Sequence, residues 1–579
     1  MSRQRTRAVP AWRFHLMVVA LLALLALLLG RILSLQVLDT EHGREFLQQQ
    51  GDQRTVRVAE IPAYRGLITD RRGEPLAVST PVISLWADPR LLVEVEDLQP
   101  LAKALEMPLT DLQARLDRFE GKGFMYLRRH LVPEVARKVL DLRVPGVGGF
   151  REYQRYYPAG EVTAHLLGFT NIDGEGIAGL ELQYESVLRG VPGKKRYIKD
   201  LRGNAVRYIG VDQPARPGAD LALSIDLRLQ YQHHQELQRA MAVTGASGGT
   251  IVTLDARTGE VLAMVNHPVF NPNQTSAPKP SHTRNRAMTD MYEPGSTMKT
   301  FTLVAALESG RWSTESMIDT SPGYIRVGRK TLPDPRNYGE ISVSRVIEKS
   351  SQVGVTQLAQ DLGHEPILEV FSRFGFGQPM VTGFPGESAG FLPSRNRWSA
   401  IEKVTLAFGY GLTATPLQLA RAYSAFANDG QLPQVSLLRV ADADAADTAV
   451  PVVSADLARE VRDVLHRVTG EHGTARRARV DGYDVGGKTG TVHKVGPGGY
   501  QDKKYLALFA GMAPIDNPRF VTVVVIDEPQ GEAYGGGAAA APVFARVAAG
   551  TLRLLNVAPD QPEAVLAQAD TTARRGVEG

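Results

Sequence analysis

Three short motifs in this chain carry side chains that could run a serine-based acyl transfer. Ser296-Thr297-Met298-Lys299 sets a hydroxyl and an amine three residues apart. Ser350-Ser351-Gln352 adds a hydroxyl and an amide, and Lys488-Thr489-Gly490-Thr491 adds a cation beside hydroxyl donors. At helical spacing i, i+3 two side chains share one face, so Lys299 comes within reach of the Ser296 hydroxyl. A helix start favours negative charge developing on that oxygen. A lysine desolvated beside other cations can lose its proton and serve as base. The four-residue pattern alone is weak, because Ser276-Ala277-Pro278-Lys279 also fits it. There Pro278 and Pro280 bar the helix that would bring the two side chains together.

The flanking sequence says which elements must hold these groups. Glu293-Pro294-Gly295 ends a loop, and an almost wholly apolar run from Met298 to Leu307 predicts a buried helix that Gly310 stops. Residues 343–349 predict a short helix with Ser350-Ser351-Gln352 on the turn after it; a pair of helix-capping serines is the plainer alternative. Lys488-Thr489-Gly490-Thr491 lies between Gly486-Gly487 and Val492 and reads as an edge strand facing a cleft, with Gly490 leaving room for the backbone of a bound chain. Strands over 249–254 and 260–266, and over 505–513 and 520–528, read as two hairpins separated by a largely helical insert. With helices over 226–242 and 542–555, they make an antiparallel sheet with helices on its faces. Phe408, Tyr410 and Tyr534 either wall the cleft or fill the core. His233, His234 and His493 have no partners at metal-ligand spacing and read as surface residues.

In this order the motifs resemble those of the penicillin-binding proteins, the D,D-transpeptidases of bacterial cell walls. The blocks from Arg65 to Ala77 and Arg155 to Gly160, with Ala164 to Phe169 and Gly179-Leu180-Glu181, resemble the pedestal of class B members, the cell-division branch in particular. The resemblance implies an α+β fold: a transmembrane helix, a mixed α/β pedestal and a transpeptidase domain with a five-stranded antiparallel sheet, like that of serine β-lactamases. It implies Ser296 as nucleophile, Lys299 as base, Ser350 as proton relay, and Lys488, Thr489, Gly490 and Thr491 as the strand that receives the substrate carboxylate. Gln352 stands where the family usually has Asn, which sets the amide one methylene further out; a misplacement of about 1 Å can cost roughly a hundredfold in rate. Gly535 follows Tyr534 where the division branch often has an aromatic residue, a more open cleft. Implied ligands are peptidoglycan stem peptides and β-lactam antibiotics, with no metal or organic cofactor. Implied partners are a SEDS-type glycosyltransferase and other division proteins, met through the membrane helix and pedestal. Two other readings share the motifs: a D,D-carboxypeptidase or β-lactamase, and a weakly active or non-catalytic scaffold of the division machinery. No acidic motifs for a second, glycosyltransferase domain are present.

At 579 residues the chain needs two or three domains. Its net charge of +4 belongs to one end: Arg3, Arg5, Arg7, Arg13 and Arg31 lie within the first 38 residues, which hold no acid. The remainder is close to neutral, without the basic excess a nucleic-acid partner requires. Phe14 to Leu38 would be roughly 37 Å long as a helix, more than the ~30 Å hydrocarbon core of a bilayer. The arginines before it place the N-terminus in the cytoplasm and the catalytic part in the periplasm, on the inner membrane. A cleaved signal peptide is the alternative, but no small-x-small site follows the apolar run. Arg31 either snorkels to the outer headgroups or meets a partner helix. The chain has no cysteine, which excludes disulfides and thiol chemistry. Gly190 to Arg196 reads as a turn and solvated basic loop. The expected divisions are a basic tail (1–13), transmembrane helix (14–38), pedestal (39–217), transpeptidase domain (218–557) and disordered tail (558–579).

Overall fold

Strands Gly248–Asp255 and Phe520–Asp527 are buried almost without a break, so their sheet must be covered on both faces. In the computed structural model of the protein, residues 10–36, 56–199, 205–274, 278–440, 448–496 and 498–561 are described. Ser276, the first three arginines, Val37, Leu38 and the tail beyond Gln561 lie outside these. The chain forms two compact units, one of residues 1–64 and 190–218 and the other of residues 65–189 and 219–579.

The first unit holds a 26-residue helix, Ala11–Gln36. Its Ala11–Leu35 portion has a mean hydropathy of 2.8, and it is the one helix among the described residues long and apolar enough to cross a membrane. The same unit contains a three-stranded antiparallel sheet of Val56–Ile61, Gly193–Lys199 and Ala205–Gln213, with Gly193–Lys199 central. The basic run at 194–196 is therefore a strand rather than a loop. Its charges remain exposed, and Arg196 pairs with Asp212 at 2.7 Å.

In the second unit, the Asp-to-Gly turn after Arg65 joins β1 (Ile68–Thr69) to the long strand β2 (Pro75–Ala87). β2 also pairs with β3 (Met125–Leu131) and β4 (Val147–Tyr156), while β1 pairs in parallel with β5 (Leu221–Ala222). Glu181 ties this region together. Fully buried, it accepts from Arg65 Nε at 2.7 Å and Arg155 Nε at 2.6 Å. Asp70 links the turn to the start of the next helix: its carboxylate accepts from Arg72, Glu74 and Leu227 backbone amides at 2.8, 2.8 and 3.0 Å.

That helix, α1 (Leu227–Thr244), leads into β6 (Gly248–Asp255) and β7 (Val261–His267). The helical insert follows, with α2 (Lys299–Glu308), α3 (Val343–Glu348), α4 (Gln352–Leu362), α5 (Pro416–Ala427) and α6 (Ala455–Thr469). Then come β8 (Gly486–Gly496), β9 (Gly499–Ala513), β10 (Phe520–Asp527) and α7 (Ala541–Leu554). The sheet order is β7-β6-β10-β9-β8, antiparallel throughout, with β8 at one edge. α1 and α7 pack together on the sheet, and α5 packs on β6 and β10. The mixed α/β architecture and five-stranded antiparallel sheet agree with the fold expected from sequence.

His233 corrects the surface reading of the histidine pair. It is fully buried, with Nε2 2.7 Å from Thr253 Oγ1, and burial pushes its imidazole down to about 3. His234 is also buried, whereas His493 is exposed.

Candidate active site

Ser296 does not lie inside the α-helix but on a 3-10 turn, Gly295–Met298, that feeds directly into α2 at Lys299. Gly295 takes φ +57°, and a Cβ there would sit 3.2 Å from Val492 of β8. Gly490 answers from the strand: its Cβ would sit 3.0 Å from Pro294 O and 3.2 Å from the Thr297 methyl. The glycine thus lets β8 close on the serine turn, in addition to the role expected of it toward a bound chain.

Lys299 is fully buried. Its Nζ donates to Ser350 O at 2.6 Å and Ser350 Oγ at 3.3 Å, and lies 5.9 Å from the centre of the Phe408 ring. Lys488 is also fully buried and donates to the same Ser350 Oγ at 3.0 Å and to Thr489 O at 3.2 Å. Among the described residues no hydrogen bond joins Lys299 to Ser296, so Ser350 is the group on which the lysines converge. Burial, partly offset by the charge of Asp334, pushes Lys299 down to about 7. Burial and then the charge of Lys299 hold Lys488 well below the usual lysine range. Two ammonium groups on one hydroxyl repel each other in a dry site, which favours a neutral amine at neutral pH. A hydroxyl oxygen that accepts from both keeps its own proton for a third partner.

Ser350 reaches this position through a left-handed backbone, φ +56°, just after α3. Such a conformation is costly for serine and persists only where the surroundings enforce it. Asp334 supplies the enforcement. It is buried and accepts from Ser351 Oγ at 2.5 Å, Gln352 N at 2.5 Å and Val353 N at 3.3 Å. Ser351 also caps α4, its Oγ accepting from Gly354 N at 2.9 Å. The capping role and the site thus coexist in one motif. Gln352 begins α4 half-exposed, and its side-chain amide makes no hydrogen bond to the described residues.

On β8, Thr489 is buried with Oγ1 3.2 Å from Thr474 Oγ1, while exposed Thr491 accepts from Gly536 N at 2.9 Å. An oxygen that accepts an N–H leaves its O–H free to donate. The aromatic residues divide. Phe408 is a core ring beneath Lys299, and Tyr410, half-buried, stands 5.7 Å from it and 5.9 Å from Tyr500. Tyr534 is 39% exposed but stacks on Tyr505 at 4.2 Å. The first three motifs are therefore brought together, Tyr534 leans on a strand neighbour, and Asp334, Thr474 and the Gly536 amide join the site without a sequence signal of their own. Among the described residues no cluster of metal-ligating side chains occurs.

The serine turn, the two buried lysines with the second serine, and the edge strand all lie within one matched domain. Residues 249–549 match the penicillin-binding protein transpeptidase domain, and residues 60–223 match the penicillin-binding protein dimerisation domain. The chain is 41% identical to the probable peptidoglycan D,D-transpeptidase PbpC of Pseudomonas aeruginosa, over 98% of this chain and 99% of that one. It is 41% identical to the peptidoglycan D,D-transpeptidase FtsI of Escherichia coli K12, over 95% and 93% of the two chains. Among solved structures, penicillin-binding protein 3 of Mycobacterium tuberculosis complexed with aztreonam superimposes with a TM-score of 0.67 at 30% identity, covering 87% of this chain and 99% of that one. The transpeptidase domain of Burkholderia pseudomallei penicillin-binding protein 3 gives 0.54 at 40% identity, covering 58% and 97%. With both domains matched in order and relatives aligned nearly end to end, this chain belongs to the penicillin-binding protein transpeptidase family.

Proposed function

We propose that this protein is a peptidoglycan D,D-transpeptidase that cross-links stem peptides through an acyl-enzyme on Ser296, in septal cell-wall synthesis. The observation that carries the reading is the convergence of Lys299 and Lys488 on Ser350 Oγ beside the Ser296 turn.

In this mechanism Ser296 Oγ attacks the carbonyl carbon of the penultimate D-alanine of a donor stem peptide, and its proton passes to the neutral Lys299 amine. The backbone amides of Ser296 and Thr491 hold the oxyanion, the largest stabilising contribution in acyl transfer. The C–N bond then breaks, and the terminal D-alanine leaves with a proton relayed through Ser350. An amine of a neighbouring stem peptide attacks the ester, gives up a proton by the same relay and restores Ser296 with a new amide bond made. Lys488, Thr489 and Thr491 receive the donor's terminal carboxylate, Gly490 admits its backbone, and Gln352 presents its amide to the peptide group. Phe408 floors the site, and Tyr410 and Tyr534 flank it. A β-lactam takes the donor's place and leaves Ser296 acylated.

The division into a tail (1–13), membrane helix (14–38), pedestal (39–217), transpeptidase domain (218–557) and second tail (558–579) accompanies this reading. So do a cytoplasmic N-terminus, a periplasmic site, and a SEDS-type glycosyltransferase and other division proteins as partners. The arginines ahead of the apolar helix support the orientation.

The deciding experiment labels full-length protein in detergent micelles with a fluorescent penicillin, beside Ser296→Ala. The expected result is a stable covalent adduct in the wild type and none in the variant. Rapid loss of label would instead indicate a hydrolase, and a folded wild type that takes no label would indicate a scaffold. Acylation should also depend on pH. Lys299 is pushed down to about 7 and acts in its neutral form, so the rate should rise as pH passes through about 7 and level off above. The limb belongs to the coupled lysine pair rather than to one nitrogen. A rate flat between pH 6 and pH 8 would exclude a lysine base.

A further inference from the structure

The serine turn rests on a phenol that does not reach the cleft. Tyr423 of α5 is fully buried, and its hydroxyl lies 2.8 Å from Thr297 O and 2.9 Å from Thr300 Oγ1. A phenol has one proton, and a carbonyl can only accept. Tyr423 therefore donates to Thr297 O, and the Thr300 hydroxyl donates to the phenol oxygen. The two threonines bracket Met298 and Lys299, and Thr297 directly follows Ser296. They also straddle the change from the 3-10 turn to the α-helix, a junction with poorer hydrogen-bond geometry than a continuous helix. The phenol itself cannot swing away. Its ring meets Phe301 edge-on at 5.4 Å and Phe426 at 6.0 Å, both near perpendicular. From the other side Thr302 Oγ1 donates to Ala407 O at 2.7 Å, tying the same helix to the loop that carries Phe408.

We propose that Tyr423 is a positioning residue for acylation: its hydroxyl fixes the turn that aims Ser296 Oγ and sets where Lys299 leaves the helix. The inference rests on Ser296 being the nucleophile. Removing the hydroxyl leaves a buried carbonyl and a buried threonine unpaired, and such groups recover partners only if the backbone shifts. A shift approaching 1 Å at a nucleophile costs up to roughly a hundredfold in rate.

The test is Tyr423→Phe in the full-length protein in detergent micelles. Acylation by fluorescent penicillin is resolved into the binding constant Ks and the acylation rate k2, with thermal unfolding and final label stoichiometry read in parallel. The expected result is k2 lower by roughly ten- to a hundredfold, with Ks, stoichiometry and the pH limb unchanged. Thr300→Val, which removes only the donor to the phenol, should fall by less, and the double variant should be no slower than Tyr423→Phe alone. A Tyr423→Phe protein with k2 within twofold of wild type would overturn the proposal. So would a loss confined to stoichiometry, because folded molecules would then react at the normal rate. If Tyr423→Phe does not fold, wild-type k2 in Thr300→Val overturns it. Persistent labelling of Ser296→Ala would remove the nucleophile assignment itself, an outcome separate from these.

Discussion

Lys299→Met should slow penicillin acylation by roughly 10²–10⁴-fold, the range expected for loss of a positioned general base, with the fold intact. Methionine keeps the unbranched stem that fills the buried space over Phe408 and removes only the amine. The site loses one of two buried amines that cannot both be charged without repulsion, so stability should hold or rise. The neighbour responds as well. Part of what lowers Lys488 is the charge of Lys299, so without it Lys488 becomes more protonated and less able to act as a substitute base. Labelling kinetics at pH 7, beside a thermal unfolding curve, measure both effects. Acylation within tenfold of wild type would assign the base to Lys488 and leave Lys299 as a structural contact with Ser350.

Glu181→Gln carries the largest expected stability effect. The carboxylate is fully buried and neutralises Arg65 and Arg155, whose side chains are only 8% and 1% accessible. Removing one partner of a buried ionic group strands the others, at a typical cost of about 3–5 kcal/mol. Here two guanidiniums lose their common counter-charge, and the glutamine NH2 sets a donor against one of them, although Arg65 retains Glu185 at 2.6 Å and Arg155 retains Gly66 O at 2.7 Å. Thermal or urea unfolding should show the loss, while k2 per folded molecule stays unchanged because the network does not touch Ser296 or the lysines. An unfolding midpoint equal to wild type would mean that water or a neighbouring acid replaces Glu181 at no cost.

Much of the site was legible because its chemistry is written in contiguous residues. Ser296 and Lys299, Ser350 to Gln352, and Lys488 to Thr491 each sit within one turn or strand, and apolar flanks identified the supporting elements. The strands of the large sheet were legible for the same reason: Phe520–Asp527 is uniformly buried and reads as an apolar run interrupted only by Thr522 before its closing aspartate. Asp334, Thr474 and Tyr423 were not legible. Each is a single polar residue whose partner lies 15 to 126 positions away, and no local pattern distinguishes it from an ordinary surface or core side chain. The histidine pair failed for a different reason. Two adjacent polar residues suggested solvent, yet Leu229, His233, Leu237 and Met241 fall at a four-residue interval along the buried face of α1. Periodicity outweighed polarity there, with Thr253 accepting the cost of burying an imidazole.

The edge position of β8 has a consequence for the protein as a colloid. An edge strand with unpaired backbone groups is a template for any extended chain, including a partly unfolded copy of the same protein. Natural edges discourage such growth with lysines, breaks in strand propensity and irregular pairing. β8 has all three: Lys488 and Lys494, glycines at 486, 487, 490 and 496, and a register shift between His493 and Val495. The composition of this edge is thus poor at nucleating a stack of sheets. Replacing those glycines with valine to stiffen the strand would favour aggregation at high protein concentration.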